Sequence, residues 1–202
     1  MTVLLGAALP ADAATFSTYR TSVTDLQPRT SGLVVTSQTN GEAITLTNTS
    51  ATPGVGAGYQ GEPYLRVTSA GVWQNDRSPA VYLNKEQTIG SIPNDADAAG
   101  PPQWTKVSDG HRARWHDHRI HWMGATEPPS VAADPGRPHL ISTWHIPVHV
   151  GSTDGEITGT LRYVPASHWG DYLTYGAIGL GVLVVVAVQL LVVRRRRTAS
   201  TE

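Results

Sequence analysis

The chain contains no cysteine, which excludes disulfides, thiolate metal sites and a cysteine nucleophile. Neither sign of charge dominates: 15 Lys+Arg stand against 16 Asp+Glu, for a formal net charge of -1. A nucleic-acid binder would present a basic face, so no nucleic-acid partner is expected. No Gly-x-Ser-x-Gly elbow occurs, and Gly54-Val55-Gly56-Ala57-Gly58 lacks the Lys-Ser/Thr that completes a phosphate loop. With no nucleophile–base or acid–base pair in view, the chain reads as a non-enzyme. A hydrophobic fraction of 40% is too low for a multi-span membrane protein.

What is present begins with turn formers. The 20 Gly and 14 Pro exceed ordinary usage and favour a turn-rich β protein over a helical bundle. Leu33–Val35 and Ala43–Leu46 flank Asn40-Gly41, a pair that accepts positive φ at both centres of a type I′ hairpin turn. Tyr64–Val67 and Gly71–Trp73 predict a second hairpin around Ser69-Ala70. Trp144, Ile146, Val148 and Val150 alternate, Asp154-Gly155 is expected to turn the chain, and Ile157, Gly159, Leu161 and Tyr163 alternate after it. Short strands at this spacing predict an all-β protein, with an immunoglobulin-like β-sandwich as the expected fold over residues 15–171. Two long polar connections, 84–103 and 127–138, interrupt the strands.

The ends of the chain suggest a location. Leu173 to Val193 carries no charge and would reach roughly 31 Å as a helix, matching a hydrocarbon core of about 30 Å. Arg194–Arg197 follow at once, a positive-inside signal. The expectation is a single C-terminal transmembrane helix over 172–193, with a cytoplasmic tail at 194–202 and the β domain outside the cell membrane. The lipid bilayer would be the first partner, and an envelope protein a second. At the other end, Val3–Leu9 and Ala11-Asp12-Ala13 resemble the back half of a secretion signal, so residues 1–14 are expected to be a partial signal peptide.

One segment carries most of the chemistry. Trp115-His116-Asp117-His118-Arg119-Ile120-His121-Trp122-Met123 holds three of the eight histidines, with His111 just before it and His139, His145 and His149 after. On an extended strand His116 and His118 would share a face, with Asp117, His121 and Met123 towards the other. Imidazole suits copper, zinc and nickel, and a methionine sulfur additionally favours Cu(I). The candidate metal ligands are His116 and His118, joined by His111, His121 or His145, with copper or another late transition metal as the candidate ion. The competing reading is a packed hydrogen-bonded network, in which the histidines bond Asp117 or backbone carbonyls and Arg119 pairs with Asp117. The protein would then be a structural or interaction subunit.

A resemblance bears on this choice. Val107-Ser108-Asp109-Gly110-His111 resembles a strand end of CopC-like periplasmic copper carriers, which are small immunoglobulin-like sandwiches. That resemblance implies a copper-ligand role for His111. The family's mature amino-terminal histidine has no counterpart, because cleavage here would expose Ala14 or Thr15. Gly61–Arg66 and Trp115–Arg119 are similar to stretches in secreted, singly anchored bacterial proteins of no established activity.

Overall fold

The computed structural model describes residues 18–85, 91–166 and 169–198, with side chains of the last stretch described from Tyr175 to Gln189. The expected signal segment, 1–14, lies outside the described residues. The chain divides into two compact units, Met1–Pro165 and Ala166–Glu202.

The first unit is built from antiparallel strands. They are β1 (Tyr19–Gln27), β2 (Leu33–Ser37), β3 (Ile44–Asn48), β4 (Gly54–Ala57) and β5 (Pro63–Thr68). After these come β6 (Gly71–Asn75), β7 (Trp104–Ser108), β8 (Arg112–Trp115), β9 (His139–Val150) and β10 (Thr153–Tyr163). Short helices α1 (Pro79–Leu83) and α2 (Pro129–Ala133) and a one-turn 3₁₀ segment (His118–Ile120) sit in the connections. A seven-stranded sheet runs β1-β10-β9-β4-β5-β6-β7, and a three-stranded sheet runs β2-β3-β8.

Two sheets over one core is what the alternating sequence requires. Leu33, Ile44, Leu46, Ala113 and Trp115 from the small sheet join Val67, Val72, Ile146, Val148, Ile157 and Leu161 from the large one in a single buried cluster. Each large aliphatic side chain buried this way contributes about 1.5–3 kcal/mol. The all-β expectation is met. The strand count differs from the immunoglobulin constant pattern, however, since seven strands lie in one sheet and three in the other rather than four and three.

Local corrections follow from backbone geometry. The β2–β3 hairpin forms in the expected register, pairing Val35 with Leu46. Its connection is longer than a two-residue I′ turn: the Gly41 amide donates to the Gln38 carbonyl, and only Gly41 has positive φ, at 76°. The β5–β6 hairpin turns at Ser69-Ala70 as expected. Asp154-Gly155 lies inside β10, and the turn falls at Gly151-Ser152, with Gly151 at φ 63°. Strand β8 stops at Trp115 instead of running on through the histidines.

In the second unit, α3 (Trp169–Thr198) carries no charged residue from Tyr175 to Gln189, and Tyr175, Ile178, Leu180 and Leu183 are exposed. Among the described residues, no helix is long and apolar enough to cross a membrane. Tyr175 to Gln189, the part with described side chains, spans about 22 Å of helix at 1.5 Å per residue, short of the roughly 30 Å core. The span expected at 172–193 is therefore not shown by these residues.

Gly159 sets one packing constraint. It pairs with Trp144 across β10 and β9, and a methyl group there would run into the Trp144 indole, whose Nε1 donates to Thr21 Oγ1 at 2.9 Å. Overpacking of this kind costs about 1–3 kcal/mol. Gly159→Ala is expected to lower the urea midpoint of the full chain correspondingly, read by tryptophan fluorescence. An unchanged midpoint would show that Trp144 does not depend on the missing side chain.

Candidate metal centre

The site begins with an acidic residue that stops a strand. Asp117 has extended backbone, with φ -141° and ψ 119°, and its carboxylate accepts from the Arg119 amide at 3.1 Å. An aspartate in this N-cap position favours a helical turn after it, and His118–Ile120 take the 3₁₀ form. Ile120 is fully buried and pins the turn to the core.

The Asp117 carboxylate is itself 0% exposed and fully engaged. Arg119 grips it with two bonds, Nε to Oδ1 and Nη2 to Oδ2, both at 2.8 Å. Trp115 Nε1 donates to Oδ2 at 3.0 Å. The same guanidinium reaches the Ala57 carbonyl at 3.0 Å and the Gly58 carbonyl at 3.3 Å, tying the turn to the end of β4. It also lies over the Tyr59 ring, 4.8 Å from the centroid. Burial by itself would lower the Arg119 pKa, but the hydrogen bonds and charge of Asp117 outweigh it and hold the group above its ordinary value. Burial raises the Tyr59 phenol, with the Asp117 charge adding to the effect. As a neutral hydroxyl it donates to Asn84 Oδ1 and accepts from the His118 amide at 3.0 Å.

This scaffold brings three histidines together. His116, His118 and His121 offer ring nitrogens that all lie within 4.8 Å of one another. Ring centroids are 4.9 Å apart for His116 and His118, and 4.8 Å for His116 and His121. Each ring has its other nitrogen against a backbone carbonyl: His116 Nδ1 at 2.8 Å from Glu42 O, His118 Nε2 at 2.9 Å from Leu83 O, and His121 Nδ1 at 3.3 Å from Trp122 O. Carbonyls only accept, so in a neutral ring those nitrogens carry the hydrogens. In those tautomers the remaining nitrogens, His116 Nε2, His118 Nδ1 and His121 Nε2, would each offer a lone pair. Two of them, His116 Nε2 and His121 Nε2, face each other at 3.1 Å.

Two imidazole nitrogens at this distance need a shared proton or a metal cation between them. Metal–nitrogen bonds near 2 Å place tetrahedral ligand nitrogens about 3.3 Å apart, close to the spacing found between His116 and His121. Carbonyl partners on the distal nitrogens are also how metal-binding imidazoles are commonly oriented. Burial lowers the His121 pKa and so favours its neutral form.

Glycine makes part of this possible. Gly41 sits at positive φ, and a Cβ there would come 3.1 Å from His121 Cβ. The loop before β3 can therefore lie close enough to supply the Glu42 carbonyl. A cavity of about 370 Å³ opens beside His116 and His121, bordered also by Asn40, Glu42 and Trp122.

The structure sorts the sequence candidates. His116 and His118 come together, and His121 joins them because the 3₁₀ turn returns it to their side. His111 is exposed in the β7–β8 turn, where its carbonyl accepts from the Asn48 amide at 2.8 Å, and it lies outside the triad. The neighbouring Asp109 pairs with Lys106 at 2.6 Å. His145 lies on the exposed face of β9 with its Nδ1 3.1 Å from Glu156, also outside the triad. Sequence reading placed Met123 in the segment but not in the ligand set, yet its Sδ is 3.2 Å from His118 Nδ1. The spacing His-x-His-x-x-His-x-Met, closed by an Asp cap, was the available signal. The expected Asp117–Arg119 pair is present, so the network and the triad coexist: one supports the other.

Comparison with family models, with curated proteins and with solved structures gives no match.

Removing one partner of a buried ion pair costs about 3–5 kcal/mol, and Arg119 is 20% exposed, which puts this pair at the lower end. Asp117→Asn is therefore expected to destabilise the full chain by about 3 kcal/mol in urea denaturation. A loss below about 1 kcal/mol, the worth of a surface pair, would remove Asp117 as the support of the site.

Proposed function

We propose that this protein is a binding module of the cell envelope that holds one late transition-metal ion between His116, His118 and His121. The observation that carries the reading is the convergence of three imidazoles, with ligand nitrogens within 4.8 Å of one another and each ring held by a backbone carbonyl. Copper is the favoured ion, because it heads the affinity order for divalent ions at nitrogen sites and no cysteine is present to favour thiolate-bound zinc. Binding rather than turnover is proposed because Asp117, the carboxylate closest in sequence, is spent on Arg119 and Trp115 and is not free to move protons.

The module is proposed to sit outside the cell membrane, anchored by residues 172–193 with the tail at 194–202 in the cytoplasm. Support comes from the uncharged run Leu173–Val193, its abutting Arg194–Arg197 and the exposed aliphatic side chains of α3 between Ile178 and Val188.

Two measurements test these readings. Calorimetric titration of the detergent-solubilised full chain with Cu(II) is expected to give one ion per chain. The double variant His116→Ala/His118→Ala should weaken binding by at least about 100-fold, the upper end of what supporting groups alone contribute. Wild-type uptake no greater than that of the double variant would return the segment to a purely structural network. For the anchor, the intact chain is expected to remain with membranes through an alkaline carbonate wash, and its release into the supernatant would refute the span.

A further inference from the structure

Met123 is not needed by the triad, and its position raises the question of which ion the site is made for. We infer that the site selects the cuprous ion, with Met123 Sδ as a fourth ligand beside the three imidazoles. The inference rests on the metal-binding reading above and adds the oxidation state and the fourth donor.

Contact geometry is the first argument. Met123 Sδ lies 3.2 Å from His118 Nδ1. The other nitrogen of that ring is held by the Leu83 carbonyl at 2.9 Å, so Nδ1 in the neutral ring has no hydrogen to give. A thioether offers only lone pairs as well. The contact is nearly as close as that of His116 and His121, whose Nε2 atoms meet at 3.1 Å. Met123 Sδ thus adjoins one member of a triad whose ligand nitrogens lie within 4.8 Å of one another, which places a fourth donor at the edge of the cluster.

The charge of the donor set is the second argument. Three neutral imidazoles and a thioether carry no charge, and Asp117 is withheld by its ion pair. The solvation a cation gives up on leaving water grows steeply with its charge, so an uncharged, partly buried set favours a monocation over a dication. Zinc and divalent copper are commonly completed by an anionic or water ligand. Thioether sulfur is soft and selects Cu(I) among the biological first-row ions.

Access is the third. Met123 is 50% exposed, and His116 and His121 border the open cavity beside Glu42 and Trp122. The sulfur side of the site can thus be reached from solvent while the imidazoles are held from behind, which suits an ion taken up and given away.

The chain's sulfur content makes the test clean: there is no cysteine, and the two methionines are Met1 and Met123. The full chain in detergent, loaded anaerobically with one equivalent of Cu(I), is probed by X-ray absorption and by competition against a chromogenic Cu(I) chelator. A copper–sulfur shell is expected in the wild type and not in Met123→Leu. That variant should lose at least about tenfold in Cu(I) affinity while Zn(II) affinity changes less than about twofold. An all-nitrogen shell in the loaded wild type would overturn the inference and leave the histidine reading standing, and it does so without relying on any variant. Equal Zn(II) and Cu(I) losses in Met123→Leu would likewise overturn it, as would no loss of either. Absence of any ion uptake by the wild type would sink both readings together.

Discussion

The ion pair between Asp117 and Arg119 is the constraint from which the histidine centre follows. A carboxylate with no exposure to water needs a partner of opposite charge, or it would neutralise or stay in solvent. Arg119 supplies that partner two residues later, and because the Asp117 carboxylate also accepts from the Arg119 amide, the pair closes on a turn. Because the guanidinium also binds the Ala57 and Gly58 carbonyls, the turn is fastened to the far sheet as well as to itself. The positions of His116, His118 and His121 are then consequences. One precedes the cap, one opens the turn and one leaves it, and the compact geometry puts all three rings on one side.

Much of the β architecture was legible in the sequence because period-2 alternation is a direct record of which face is buried. Trp144 to Val150 and Ile157 to Tyr163 became the long central hairpin for that reason. What the pattern could not locate were the reversals. Asp154-Gly155 looked like a turn, yet Gly155 is there because Gln27 of the neighbouring strand crosses too closely for a side chain. Gly151, two residues before β10, takes the left-handed conformation instead. Asn40-Gly41 was a correct sign of a hairpin and an incomplete sign of its length.

The candidate site was half legible for a related reason. Residue type identified His116 and His118, while the assumption of an extended backbone sent His121 and Met123 to the opposite face. The overriding interaction, a side chain capping its own following turn, is local in sequence but competes with strand propensity, and burial of Ile120 decides the contest. His111 shows the converse. A five-residue likeness implied a ligand role, but the residue ends in a solvent-facing turn whose carbonyl is used for sheet closure. The supporting carbonyls of Glu42 and Leu83 carry no residue signature at all, since any amino acid presents a backbone oxygen.

Those carbonyls come from separate parts of the chain: the loop before β3, the end of α1 and the segment after the 3₁₀ turn. An ion seated among the rings would clasp three otherwise independent connections through a single point. Occupancy and foldedness are then thermodynamically linked, because a ligand that favours the native arrangement deepens its free-energy well with rising concentration. A domain without a single covalent cross-link would in this way acquire a reversible rivet, whose strength is set by the supply of ions outside it.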